Sequence, residues 1–93
     1  MMKPLSALDK HMLMDMMSTS DNLISELLKE NDDLKNIVVI ERIANIIISR
    51  LRRFVRCMDE KELLELTKKL PSLKKMRVTE KRVLAHTIIK FLY

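Results

Sequence analysis

The longest regular pattern in the chain is an apolar stripe through its middle. It consists of Ile40, Ile43, Ile47, Leu51, Phe54 and Met58. This spacing of three or four places side chains on one face of an α-helix. The β-branched runs within residues 37–48 also suit a strand, but the helical spacing continues past the usual strand length. The pattern therefore predicts one long helix from about Asp33 or Asn36 to Cys57.

Two shorter apolar stripes precede this helix. The stripe residues are Leu8, Met12 and Met16 in the first, and Leu23, Ile24, Leu27 and Leu28 in the second. A capping pair of Ser6 and Asp9 predicts the start of the first helix, and the Ser-Thr-Ser run at 18–20 its end. Asp21 is then predicted to cap a second helix that ends at 31–33. With a tight turn between them, the two helices would form an antiparallel pair.

The last third of the chain predicts two more helices. Asp59 and Glu62 have the spacing of a capping box at the start of the first, and Pro71 ends it because proline lacks the backbone donor. Thr79 is the predicted N-cap of the final helix. The apolar residues assigned to the core are Leu63, Leu66 and Leu70 in the first helix, Leu73, Met76 and Val78 in the connection, and Val83, Leu84, Ile88, Phe91 and Leu92 in the last.

Composition supports an all-α fold. The 93 residues include no glycine and two prolines, whereas tight-turned β architectures need many residues with positive φ. We predict a small bundle of four to five helices that forms a single domain over residues 1–93. A chain of this length buries one modest core.

The N-terminal part of the chain is acidic and the remainder is basic. Residues 1–36 hold four lysines against seven acidic residues, a net −3, whereas residues 37–93 hold fourteen basic against six acidic residues, a net +8. The candidate basic binding surface comprises Arg50, Arg52, Arg53, Arg56, Lys68, Lys69, Lys74, Lys75, Arg77, Lys81 and Arg82.

These cations give two interpretations of the basic half. They can neutralise phosphates, which predicts a nucleic-acid-binding protein whose residues 74–82 contact the backbone with little sequence preference. Alternatively, they solvate an exposed face and favour the C-terminal end of a helix dipole. The eight-residue connection from Pro71 to Val78 excludes a helix-turn-helix, whose turn has about three to four residues.

The sequence contains no constellation typical of an enzyme. Cys57 cannot form an internal disulfide, and neither His11 nor His86 has a neighbouring Cys or carboxylate pattern. The arginines around Cys57 favour a reactive thiol, whereas a lone cysteine beside a core stripe is typically a small buried residue. We expect no enzymatic activity, no metal and no cofactor. The unpaired cysteine and the absence of a secretory or membrane-spanning stretch predict an intracellular protein, cytoplasmic or nuclear, that does not insert in membranes.

The segment from Leu63 to Ile88 carries a family resemblance. Its residues are Leu63-Leu64-Glu65-Leu66, Leu70-Pro71-Ser72-Leu73, Val78-Thr79, Leu84 and His86-Thr87-Ile88. This segment, about residues 63–90, resembles the N-terminal domain of elongation factor TFIIS and the related integrase-binding domain of chromatin adaptors. The resemblance implies a helical bundle whose loops receive short, disordered peptide motifs from transcription regulators. Val78 and Thr87 match the family pattern and are candidate protein contacts.

Methionines in the first segment suggest how the protein interacts. Met12 and Met16 lie on the core stripe, whereas Met14 lies off it and is a candidate for a contact surface, because methionine adapts to varied partners. The apolar residues at 37–48 exceed what a monomer of this size needs. We therefore predict an adaptor or regulatory domain that binds a helix or peptide of another protein in an apolar groove with a basic rim, or that forms a homo-oligomer.

Overall fold

The computed structural model describes residues 7–93, with side chains from Lys10 onward. The helices are α1 (Ala7–Glu30), α2 (Ile37–Val55), α3 (Glu60–Lys68) and α4 (Val78–Leu92), with a 3₁₀ turn at Pro71–Leu73 between the last two. Over these residues there is no strand, and the predicted all-α bundle is confirmed with four α-helices. The predicted cap at Ser6 and the side chain of its partner Asp9 lie outside the described part.

The two helices predicted before residue 31 are a single helix, α1. The Ser-Thr-Ser run does not interrupt it, because two of its hydroxyls bond back to the preceding turn. Thr19 Oγ1 donates to the Asp15 carbonyl at 3.1 Å, and Ser20 Oγ donates to the Met16 carbonyl at 2.7 Å. Such back-bonding satisfies the hydroxyl inside a helix. The prediction that Asp21 caps a second helix is therefore wrong.

α2 is the central helix of the core. It begins after Asn36, whose Oδ1 accepts a hydrogen bond from the Val38 N–H at 2.9 Å. Its buried residues are Val39, Ile40, Ile43, Ala44, Ile47, Ile48, Leu51, Phe54 and Val55. Ile37 and Val38 are 52% and 55% exposed. The apolar surplus predicted for 37–48 is thus largely absorbed by the core and reaches the surface in the first turn.

The start of α3 confirms the predicted capping box. Asp59 Oδ1 accepts from the Glu62 N–H at 2.8 Å, and Glu62 Oε1 accepts from the Asp59 N–H at 3.2 Å. Beyond α3, Leu73 and Met76 are buried as predicted and hold the connection against the core. Val78 is 65% exposed, so its predicted core position is wrong.

α4 begins two residues earlier than its predicted cap implies. Arg77 is the residue before the helix, and its N–H donates to Glu80 Oε2 at 2.7 Å. Thr79 is already the second residue of the helix, which makes the predicted N-cap wrong. The buried residues of α4 are Leu84, Ala85, Thr87 and Ile88.

α2 packs against both α1 and α4, and α3 packs against α4. Two polar links join segments distant in sequence. Asp21 Oδ1 accepts from the Ser72 N–H at 2.9 Å and Ser72 Oγ donates to the Asp21 carbonyl at 3.2 Å, while the Tyr93 hydroxyl donates to the Arg56 carbonyl at 3.3 Å. Among the described residues no helix has both the length and the apolarity to cross a membrane.

Candidate functional site

A groove runs between α1 and the 3₁₀ turn, with a volume of about 310 Å³. We call it the methionine groove. It is lined by Met14, Met17, Ser18, Asp21, Lys69 and Pro71. The hydrogen bonds between Asp21 and Ser72 hold the turn against α1 at this point. This volume lies at the lower end of the range of small-molecule pockets, about 300–1,000 Å³, and it also has room for one or two side chains of a peptide.

The methionines give this groove its apolar side. Met14 and Met17 are three residues apart on α1 and therefore lie on one helix face. Met14 is 69% exposed, and Met17 is half-buried against the core. An exposed methionine adapts its three rotatable bonds to the shape of a partner.

The polar side of the groove carries one accessible cation. Lys69 follows α3 and makes no ion pair with any residue in the described part of the chain. Asp21 already accepts the Ser72 N–H. Among the described residues, a ligand in the groove would therefore meet apolar surface beside the positive charge of Lys69 and the negative charge of Asp21. Of the basic rim predicted from the sequence, the structure places Lys69 at this groove.

The eleven candidate basic residues are spread over α2, the end of α3, the connection that follows it, and α4. All are exposed except Lys81, which is half-buried. Arg50 lies at a shallow pocket beside Asp15 of α1, and Arg82 lies beside Asp59 and Glu60 at another. Lys68 pairs with Glu65 at 3.2 Å. The remaining members are Arg52, Arg53 and Arg56 near the end of α2, Lys69 at the groove, and Lys74, Lys75 and Arg77 between the 3₁₀ turn and α4.

A second polar surface follows the exposed side of α2. We call it the arginine face; its residues are Arg42, Asn45, Ser49, Arg52, Arg53 and Arg56. Five of them are spaced by 3, 4, 3 and 4 residues, which aligns them on one side of the helix, and Arg53 lies beside that line. All six are exposed. Sequence reasoning missed Arg42, Asn45 and Ser49, although their spacing opposite the apolar stripe was a usable signal.

The three predicted protein-contact residues differ in their exposure. Met14 and Val78 are exposed, whereas Thr87 is only 9% exposed and its hydroxyl donates to the Val83 carbonyl at 2.7 Å. Thr87 is therefore occupied inside the bundle and does not offer a contact surface. Cys57 is exposed, which makes its interpretation as a buried residue wrong.

The histidines lie on separate surfaces. His11 Nε2 is 3.7 Å from Asp15 Oδ2 on α1, and His86 Nε2 is 3.2 Å from Glu60 Oε2 between α4 and α3. Within the described residues, no three His, Cys, Asp or Glu side chains are grouped so that they could hold a metal ion.

Comparisons of the chain with protein-family models, with curated proteins and with solved structures give no match. The resemblance of residues 63–90 to the TFIIS N-terminal and integrase-binding domains stays a prediction.

Proposed function

We propose that this chain is a non-enzymatic adaptor or regulatory domain that binds a short apolar segment of another protein in the methionine groove. The observation that carries the proposal is the exposure of Met14, at 69%, in a groove where the Asp21–Ser72 hydrogen bonds hold the 3₁₀ turn against α1. A partner side chain placed there would bury the methionine. Burial of a methionine side chain contributes roughly 1.5–3 kcal/mol.

The lining of the groove defines the chemistry of the partner. Met14, Met17 and Pro71 favour an apolar anchor residue, and Lys69 favours an acidic residue beside it. The formal net charge of +5 further favours an acidic partner during encounter. We therefore propose a peptide with one or two apolar anchors flanked by Asp or Glu. The TFIIS-like resemblance supports peptide motifs of transcription regulators, or of another nucleic-acid process, as the source.

A peptide-display selection tests this function. The purified chain is used as bait, and peptides that also bind the Met14→Lys variant are removed by counter-selection. Enriched peptides should combine apolar anchors with acidic neighbours. In fluorescence anisotropy, Met14→Lys should weaken the best peptide about tenfold or more, the loss of one buried anchor contact.

Ile37→Lys is the matched control, because Ile37 is also an exposed apolar residue, at 52%, and is not in the groove lining. It should change the affinity by less than about twofold. Equal losses in both variants, or no enrichment of apolar–acidic peptides, would refute the proposed groove. The remaining alternative is that the groove binds a second copy of this chain. Sedimentation velocity tests it: a wild-type dimer that becomes a monomer in the Met14→Lys variant would support self-association through the groove.

A further inference from the structure

The arginine face of α2 has the properties of a surface for a polyanion. Arg42, Arg52 and Arg56 make no ion pair with any residue among those described, and all three side chains are exposed. Arg53 is beside them, with its guanidinium carbon 5.8 Å from the centre of the Phe54 ring. Glu41, the sole acidic residue of α2, is half-buried and lies outside the line. The positive charges of Arg42, Arg52 and Arg56 are therefore not neutralised by an ion pair within the described part of the chain.

Stabilisation of the α2 helix does not account for all of the arginines on this face. Cations in the last turn favour the helix dipole, which accounts for Arg52 and Arg53. That effect falls off within one turn of the helix end, and Arg42 is the sixth residue of α2. Arg42 nevertheless continues the line of Arg52 and Arg56 at the other end of the exposed face.

We infer that the arginine face binds the phosphate backbone of a nucleic-acid duplex, as a second binding surface independent of the methionine groove. Guanidinium groups pair with phosphate through two parallel hydrogen bonds. Asn45 and Ser49 lie between the arginines, and these smaller polar side chains allow close approach of the phosphates. The Asn45 amide can donate a further hydrogen bond, whereas the Ser49 hydroxyl already donates to the Ile46 carbonyl at 3.2 Å. Arg42 and Arg56 are about 21 Å apart along the helix, a length that corresponds to about six base pairs of duplex.

The same face fits other partners less well. A protein partner would require an apolar or aromatic anchor, and from Arg42 to Arg56 the exposed line has none. Single strands are held by base stacking on aromatic side chains. Phe54 is only 5% exposed, and the exposed Tyr93 lies at one end of the face, where its hydroxyl donates to the Arg56 carbonyl, so the line from Arg42 to Arg52 has no exposed aromatic side chain. Phosphate contact without stacking is typical of duplex binding.

The test is fluorescence anisotropy with a labelled DNA duplex of about 20 base pairs, titrated between about 50 and 200 mM salt. If three arginines each neutralise one phosphate, the slope of log K against log salt should be about −3. Arg42→Glu combined with Arg52→Glu should lower the affinity at least about tenfold and reduce the slope to about −1. The matched control, Lys74→Glu combined with Lys75→Glu, makes the same charge change on exposed residues that do not belong to the face. It should stay within about threefold of the wild type.

Far-UV circular dichroism checks that both variants keep their helix content, and Arg52→Gln with Arg56→Gln replaces the glutamate variant if that one unfolds. Three results would overturn the inference. If the control loses as much affinity as the face variant, binding follows net charge or the predicted contacts at residues 74–82, and not the arginine face. Equal affinity for a single strand or for phosphatidylserine vesicles would assign the face to another polyanion. Absence of duplex binding at about 50 mM salt would remove the site.

Discussion

Removal of the Asp21 carboxylate should detach the 3₁₀ turn from α1. Asp21 Oδ1 accepts the Ser72 N–H at 2.9 Å, and the two residues are 51 positions apart in sequence. The same pair makes a second bond, from Ser72 Oγ to the Asp21 carbonyl at 3.2 Å. Both bonds are partly buried, so water replaces them poorly once they break.

Two opposing contributions determine how much Asp21→Ala changes the free energy of unfolding. Asp21→Ala leaves the Ser72 N–H without its partner, which costs about 1–3 kcal/mol. Alanine is a better helix former than aspartate by up to about 0.7 kcal/mol, and Asp21 lies inside α1. The free energy of unfolding should therefore fall by about 0.5–2.5 kcal/mol. Ser72→Ala removes one hydroxyl bond and should cost about 0.5–1.5 kcal/mol.

Urea unfolding, followed by far-UV circular dichroism, measures these values. With a slope of about 1–3 kcal/mol per molar urea, a loss of 1.5 kcal/mol lowers the midpoint by about 0.5–1.5 M. Asp15→Ala is the matched control, because Asp15 is exposed in the same helix and its carboxylate pairs with the exposed His11 at 3.7 Å. It should be neutral or slightly stabilising. Asp21→Asn, which retains an oxygen acceptor, should recover most of the loss.

A double variant shows whether the two bonds act as one unit. If the loss of either bond frees the turn, Asp21→Ala with Ser72→Ala should be less destabilising than the sum of the single changes, by about 0.5 kcal/mol or more. The reasoning fails if Asp21→Ala is as stable as Asp15→Ala.

Two further predictions concern the core and the caps. Ile47 is fully buried at the centre of α2, so Ile47→Ala should lower the free energy of unfolding, measured by urea titration, by about 2–5 kcal/mol. Ile37 is 52% exposed, and Ile37→Ala should lower it by less than about 1 kcal/mol. Asp59 caps α3, so Asp59→Ala should lower the free energy of unfolding by about 0.5–2 kcal/mol, while Asp59→Ser should leave it nearly unchanged. Equal losses of stability in the two variants would contradict the capping role.

The helix content was predictable because it depends on local spacing. The stripe through Ile47 and the capping box at Asp59 are both short-range patterns, and both are confirmed. The break placed at 18–20 was wrong for a local reason as well. Serine and threonine are compatible with a helix interior when their hydroxyls bond to the preceding turn, as Thr19 and Ser20 do.

The methionine groove was harder to predict from the sequence because its lining comes from segments that are distant in the chain. Met14 was identified as a surface residue, but Pro71 and Lys69 reach it only through the packing of the 3₁₀ turn on α1. No local pattern encodes that contact. The arginine face differs in this respect, since it lies within one helix and its 3, 4, 3, 4 spacing is visible in the sequence.

α2 combines two roles on opposite sides of one helix. Its inward side carries nine buried residues of the core, and its outward side carries the arginines. Because side chains such as Arg42 and Arg52 are exposed, their replacement creates no cavity, and surface substitutions of this kind usually change stability by less than about 0.5 kcal/mol. A loss of duplex binding in the face variant would therefore report the surface and not the fold. Since the methionine groove lies on α1 and the 3₁₀ turn, the same variant should bind peptide with unchanged affinity, and a joint loss of both activities would mean that the two surfaces are not independent.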